Sequence, residues 1–322
     1  MFDLLASEPQ YAHHLAPVWE ATPWDQRGTF WTTTELMGRY LSELGVVGWE
    51  LLGARIHRPV VTAGIMDYAR ARRAKAPAQA YMEHGCGQSY GGDPKLGHHP
   101  AYAGGGGRGE CQLILAPNAQ AAARWAMAYP DASVHVVGAT RLLNPPEEPR
   151  VPLLVVSFHW DGPIPEARSA RAHYRSRLRE LATELPLAGH GHPRAAASVR
   201  STFRSAGVEW IQDIKDVAKR ATVYAVDNSS TLWEMGRTRP TIALNAPWYR
   251  RDVEHGLRFW SHAGVMVDDM DELMEVAHGL LAGEQEEARE QREARVAEVI
   301  PYLDGAQRAS RLLTEWSQGA AS

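Results

Sequence analysis

Short apolar runs rich in β-branched residues alternate with stretches of helical period along most of the chain. Residues 28–32, 60–63, 79–82, 112–116 and 133–137 carry the strand pattern, with amphipathic helical segments at 35–44, 68–75 and 119–128 between them. The alternation restarts at 153–158, an uninterrupted apolar run of the kind found where both faces of a strand are covered. A helix over 169–185 follows, then a short strand near Leu187, a strand at 208–211, a helix at 214–220 and a strand at 222–226. A helix at 231–236, strands at 241–244 and 265–267 and a helix at 270–281 lead into a charged helical tail, 284–316, interrupted at Pro301 and near Asp304-Gly305. Repeated strand–helix alternation predicts parallel strands with right-handed crossovers, a doubly wound α/β sheet. The proline-rich acidic stretch Asn144-Pro145-Pro146-Glu147-Glu148-Pro149 separates two such halves and predicts two domains with a cleft between them.

Composition narrows this picture. With 322 residues the chain can hold two cores, and a net charge of -4 supplies no strong field toward nucleic acid or anionic lipid. Its longest apolar run, 151–156, falls far short of the roughly 20 residues that span a bilayer. The N-terminus carries an early acid and no basic segment before an apolar core, so no signal peptide is expected. Cys86 and Cys111 form neither a disulfide framework nor a CxxC pair, which points to a reduced, cytoplasmic setting. Lysine supplies four of the 34 basic residues and arginine 30; coding bias explains this as well as function does, although arginine's planar fork suits phosphates and carboxylates.

Ligands of doubly wound sheets bind beyond the carboxyl ends of the strands, and three polar clusters stand there. In Glu83-His84-Gly85-Cys86-Gly87-Gln88-Ser89, glycines let substrate approach closely and His84 has the basicity to take a proton from a hydroxyl. A histidine satisfied within a turn is the bland alternative, and Cys86 is a small loop residue rather than a nucleophile. In Gly189-His190-Gly191-His192-Pro193-Arg194, an imidazole and a guanidinium can meet one anion, whereas a zinc site lacks the required spacing. The third cluster is Asp227-Asn228-Ser229-Ser230-Thr231, a turn opening a helix with Glu234 one turn in. Its hydroxyls and backbone amides can hold an anion, or it is only a cap, with Thr231 and Glu234 at capping-box spacing.

Other features carry less. The run Gly104–Gly107 before Arg108 lacks both the P-loop and the dinucleotide pattern, and suits a flexible loop over the cleft. Gly85, Gln88 and Arg108 are candidates for that loop or for acceptor contact. Trp24, Trp31, Trp248 and Trp260 are expected to pack, with cleft walls as the alternative. No Asp-x-Asp stands in the cleft segments, so no metal is required, and Asp268-Asp269-Met270-Asp271 suits the acidic start of a helix.

Taken in order, Glu83-His84-Gly85, Val137-Gly138-Ala139-Thr140-Arg141, His192-Pro193-Arg194, Asp227-Asn228-Ser229-Ser230 and Arg239-Pro240-Thr241-Ile242-Ala243-Leu244 resemble GT-B glycosyltransferases. The pattern is similar to the CDP-glycerol glycerophosphotransferase (teichoic-acid polymerase-like) family and, more distantly, to UDP-N-acetylglucosamine 2-epimerases. The resemblance implies a GT-B architecture: a Rossmann-like acceptor domain over 1–145, a Rossmann-like nucleotide-donor domain over 151–283, and helices over 284–322 packing back toward the first. It further implies donor contacts from His192, Arg194, Asp227, Ser229, Ser230 and Thr231, with Glu234 on the ribose and His84 as general base. Cys86 after His-Gly, and Asn228 where an aromatic residue is usual, depart from the phosphotransferase pattern and favour a sugar as cargo. The expected function is transfer of a glycosyl group from a nucleotide-diphosphate sugar, UDP-linked in preference to CDP-linked, to a hydroxyl acceptor, with no cofactor. The acceptor class stays open between a small molecule, glycan, protein or hydroxylated DNA, as does the stereochemical outcome. A CDP-alcohol phosphotransferase, an epimerase or hydrolase, and a non-catalytic two-lobed nucleotide- or sugar-binding protein are the alternatives.

Overall fold

The computed structural model describes residues 1–86, 108–143, 149, 151–162, 168–249, 263–284 and 289–320. They fall into two compact units. The first holds residues 1–86, 108–142 and 299–320, and the second the described residues between 143 and 298. The glycine run, Gln88, Trp260 and most of the proline-rich stretch lie outside the described residues.

The first unit is built on seven strands: β1 (Phe2–Leu5), β2 (Arg27–Thr32), β3 (Trp49–Leu51), β4 (Val60–Thr62), β5 (Gln79–Met82), β6 (Leu113–Ala116) and β7 (Ser133–Val136). Their order is β3-β2-β1-β4-β5-β6-β7, every pairing is parallel, and the winding direction reverses between β1 and β4. Strand β1, third of the seven and one of the two that flank the reversal, is not announced by the hydrophobic pattern. Its second residue is Asp3, a buried carboxylate that accepts from Thr29 N (2.8 Å) and Trp31 Nε1 (2.7 Å) and pairs with Arg58 at 3.5 Å. Gly28 makes room for it, because a Cβ there would sit 2.1 Å from Asp3 Oδ1. Helix Pro9–Ala21 follows β1 and buries Ala12 and Leu15 with Ala309 and Leu313 of the last helix, Gly305–Gly319. Trp24, expected to pack, is exposed.

The second unit repeats the plan with β8 (Leu154–Phe158), β9 (Leu187–Gly191), β10 (Glu209–Trp210), β11 (Val223–Val226), β12 (Thr241–Leu244) and β13 (Val265–Val267). The order β10-β9-β8-β11-β12-β13 is again wholly parallel, with the reversal between β8 and β11. All of β8, β11 and β12 is buried, as the unbroken apolar run of β8 predicted. The stretch 169–185 is not one helix. Ser169 Oγ and Ala170 N are spent on Asp227, so the helix starts at Arg171, and a tight turn at Arg175–Arg177 divides Arg171–Tyr174 from Leu178–Glu184. Asp269 caps helix Met270–Leu281 by accepting from Asp271 N and Glu272 N, the acidic helix start expected there. Among the described residues no helix is long and apolar enough to cross a membrane.

Candidate functional site

In the second unit the polar clusters lie at the carboxyl ends of β8, β9 and β11. Beyond β9, His192 Nδ1 accepts from Arg194 N at 3.2 Å. A backbone amide only donates, so His192 is neutral with its proton on Nε2, a hydrogen-bond donor suited to a phosphate oxygen. Its ring packs edge-on to His159, 4.8 Å between centroids, and the exposed Arg194 guanidinium lies 4.5 Å over the Trp160 ring. Gly191 allows this turn to close, since a Cβ there would meet Val199 Cγ1 at 2.8 Å.

Beyond β11, Asp227 is buried and holds three donors: His159 N at 2.7 Å, Ala170 N at 2.8 Å and Ser169 Oγ at 3.0 Å. It ties the ends of β8 and β11 to the segment before Arg171. Burial outweighs those donors and pushes its carboxyl up to about 7. Ser229, Ser230 and Thr231 are half-buried, and Ser230, at the helix N-cap, makes no side-chain capping bond. The hydroxyls form a line instead, with Thr231 Oγ1 2.9 Å from Ser229 Oγ and 2.8 Å from the Tyr224 hydroxyl. Helix Thr231–Gly236 is short, so these hydroxyls rather than a helix dipole give the turn its polarity. Asn228 Nδ2 donates to Arg168 O at 3.2 Å, and Glu234 is buried one turn into the helix.

In the first unit His84 follows β5, half-buried. Its Nδ1 lies 2.8 Å from the Ala63 carbonyl oxygen, which only accepts; Nδ1 therefore carries the proton and Nε2 is the basic nitrogen. The Tyr81 hydroxyl donates to the same carbonyl at 3.1 Å, and the Tyr11 ring meets His84 edge-on at 4.8 Å. Gly85 adopts φ 81, the left-handed conformation that turns the chain away behind the imidazole. Glu83 points into the core, bonded to Trp125 Nε1 and 3.7 Å from Arg124, with burial raising its carboxyl. Arg108 is buried too, its guanidinium 4.5 Å over Tyr81 and 5.2 Å over Trp125. Cys86 and Cys111 are buried, and burial lifts the Cys111 thiol to about 12, which keeps it unreactive.

The structure thus brings His192, Arg194, Asp227, Ser229, Ser230, Thr231 and Glu234 together in one unit and places His84 and Gly85 in the other. It adds residues that the motif reading passed over: His159 and Trp160 directly after β8, Tyr224 within β11, and Tyr11, His13 and His14 after β1. The first two were accessible to the strand-end argument, because they follow the plainest strand in the sequence.

No family model matches the sequence, and no curated protein matches it. Solved structures do. A putative UDP-N-acetylglucosamine 2-epimerase from Listeria monocytogenes is similar at TM-score 0.63 and 13% identity, over 100% of this chain and 97% of that one. A UDP-GlcNAc 2-epimerase from Neisseria meningitidis, bound to UDP-GlcNAc, is similar at TM-score 0.59 and 13% identity, over 98% and 99%. The wall teichoic acid polymerase TagF, soaked with CDPG, is similar at TM-score 0.63 and 10% identity, over 99% and 88%. At these identities the likeness is one of fold, the GT-B architecture with its Rossmann-like parallel sheets.

Proposed function

We propose that the chain is a GT-B transferase that moves a glycosyl group from a nucleotide-diphosphate sugar, UDP-linked by preference, to a hydroxyl acceptor. The observation that carries this reading is the anchored tautomer of His84. With Nδ1–H held by the Ala63 carbonyl, Nε2 can accept the proton of an attacking hydroxyl as the oxygen attacks the anomeric carbon. The departing nucleotide diphosphate gathers negative charge. The Arg194 guanidinium, the His192 Nε2–H and the hydroxyls of Ser229, Ser230 and Thr231 are donors of the right kind to stabilise it. Glu234 accepts from the ribose, and Asp227 holds the strand ends that carry these donors in place. Bound UDP-GlcNAc in one structural relative and a CDPG soak in another support a nucleotide-linked donor. CDP-linked alcohol transfer is the second reading, favoured by the TagF likeness and served by the same base and anion donors.

The test is a thermal-shift screen of UDP, CDP and their sugar and glycerol conjugates, followed by release of free nucleotide with candidate acceptors. A UDP-sugar should give the largest shift, and S229A/S230A should weaken its binding about thirtyfold, two hydroxyl contacts at about 1 kcal/mol each. Unchanged affinity in that double variant would reduce the turn to a cap. Tight binding without turnover, indifferent to H84A, would leave a nucleotide-binding protein.

A further inference from the structure

A buried polar side chain costs free energy unless it is hydrogen-bonded, and the second sheet buries such side chains on three neighbouring strands. Ser157 of β8 stands opposite His190 of β9, and its Oγ lies 2.9 Å from His190 Nδ1. Ser157 also stands opposite Val226 of β11, two residues after Tyr224, so side-chain alternation puts Tyr224 on the same face as Ser157. Ser157 hydrogen-bonds the Tyr224 phenol, whose oxygen lies 2.8 Å from Thr231 Oγ1, itself 2.9 Å from Ser229 Oγ. His190, Ser157 and Tyr224 are all buried, and the His190 ring stacks on Trp210 at 6.1 Å. These side chains form one hydrogen-bonded line, from inside the sheet to the half-buried turn beyond β11.

Such a line has two directions. Each contact between two oxygens holds one proton, so a hydroxyl that donates to one neighbour accepts from the other, and reversing one reverses all. In the inward direction Ser229 donates to Thr231, and the line ends on His190 Nδ1 as an acceptor. In the outward direction Nδ1–H donates to Ser157, Ser157 to Tyr224, Tyr224 to Thr231 and Thr231 to Ser229. Ser229 Oγ then accepts from Thr231 Oγ1 and also from Thr231 N at 3.4 Å, so both its lone pairs are used and it offers a ligand its proton. Burial pushes the Tyr224 phenol up to about 12, so the middle member stays a hydroxyl and serves either direction.

We propose that His190 is a positioning residue for the anion site: acting through Ser157, Tyr224 and Thr231, its Nδ1–H turns the Ser229 hydroxyl outward as a donor to a bound phosphate. This assignment rests on the reading of that turn as a contact for the donor's diphosphate. No O–H bond breaks; each hydroxyl keeps its own proton and only rotates. Thr231 acts on the anion through Ser229. The inward direction presents a Ser229 lone pair to the same phosphate, so a histidine buried within the sheet decides whether the turn attracts an anion.

The test uses the full chain with UDP and inorganic pyrophosphate as probes. Imidazole nitrogen NMR of the UDP-bound protein should show His190 Nδ1 carrying a proton; a bare Nδ1 with ligand bound overturns the relay. S157A and Y224F remove hydroxyls that sit behind the turn, so each should weaken UDP binding about fivefold, one hydrogen bond's worth. The double variant should lose no more than about fivefold, because a single gap already cuts the line. Single losses that multiply to about twenty-five-fold, or no loss at all, in variants shown to be folded by thermal unfolding, overturn the relay and leave the turn an anion site. Pyrophosphate bound without UDP would remove the nucleotide reading and keep the relay, with the same losses read on pyrophosphate. Failure of both probes to bind would overturn the anion reading of the turn and the relay with it.

Discussion

Both units wind their sheets the same way, yet they dress the carboxyl ends of their strands with opposite chemistry. The first sets His13, His14, His84 and Arg141 there, three imidazoles and a guanidinium, with burial holding the basicity of His14 well below that of an ordinary imidazole. The second sets hydroxyls, an exposed guanidinium stacked on Trp160 and a carboxylate locked inward by three donors. On the transferase reading proposed above, one end exchanges a proton and the other holds an anion still. The shared strand order explains where chemistry can be placed, and the side chains at each strand end decide which chemistry it is.

The sharpest break in that comparison is at His84. H84A should lower the rate of nucleotide release in the presence of acceptor by about a hundred- to ten-thousandfold, the range of a lost general base, with donor affinity little changed. A loss confined to donor KM would move His84 to the binding side and erase the contrast between the units.

Asp227 is the next largest. Asn in its place would turn an NH2 toward the Ala170 N–H and the Ser169 hydroxyl, leaving buried donors facing each other, and D227N should cost about 3 kcal/mol of stability. The wild-type carboxyl adds a pH signature. Folded Asp227 keeps its proton up to about 7, whereas the unfolded chain releases it near 4, so raising pH through that window favours the unfolded state. This group's contribution to stability should fall between about pH 4 and pH 7 and stay level above, and D227N should remove that slope. Chemical denaturation of the two proteins at several pH values measures both effects. A slope that D227N leaves unchanged would assign it to other carboxyls.

How much of this was legible differs between the units for a physical reason. In the second, strands 241–244 and 265–267 and helices 214–220, 231–236 and 270–281 match the sequence reading residue for residue, and strand 241–244, buried throughout, has no polar face to blur the pattern. In the first, strand β1 escaped notice, since Asp3 interrupts its apolar run and is satisfied by Thr29, Trp31 and Arg58 from distant sequence. The His13-His14 pair was hidden with it: a helix that follows an unrecognised strand has no visible carboxyl end to mark. Arg108 shows the converse, an arginine beside a glycine run that suggested a surface loop and lies over Tyr81 and Trp125 in the core. Ser230 could be weighed from sequence only as cap or ligand, and the absence of a capping bond from its side chain is a fact of geometry.

The smallest effect tests why the second unit uses arginine at position 194. The guanidinium lies 4.5 Å over the Trp160 ring, and an exposed cation–π contact of this kind is worth about 0.5–1 kcal/mol. R194K keeps the charge but loses the planar fork and the stacking, so donor affinity should fall only a few-fold, and W160A should produce a similar loss without altering charge. R194A should cost more than either, because it removes the proposed phosphate donor as well as the stack. Combining W160A with R194K should add little to the single effects, since both remove the same stacked geometry. Full additivity in that cycle, read from nucleotide titrations at one ionic strength, would mean that Arg194 acts as a point charge and that Trp160 serves some other contact.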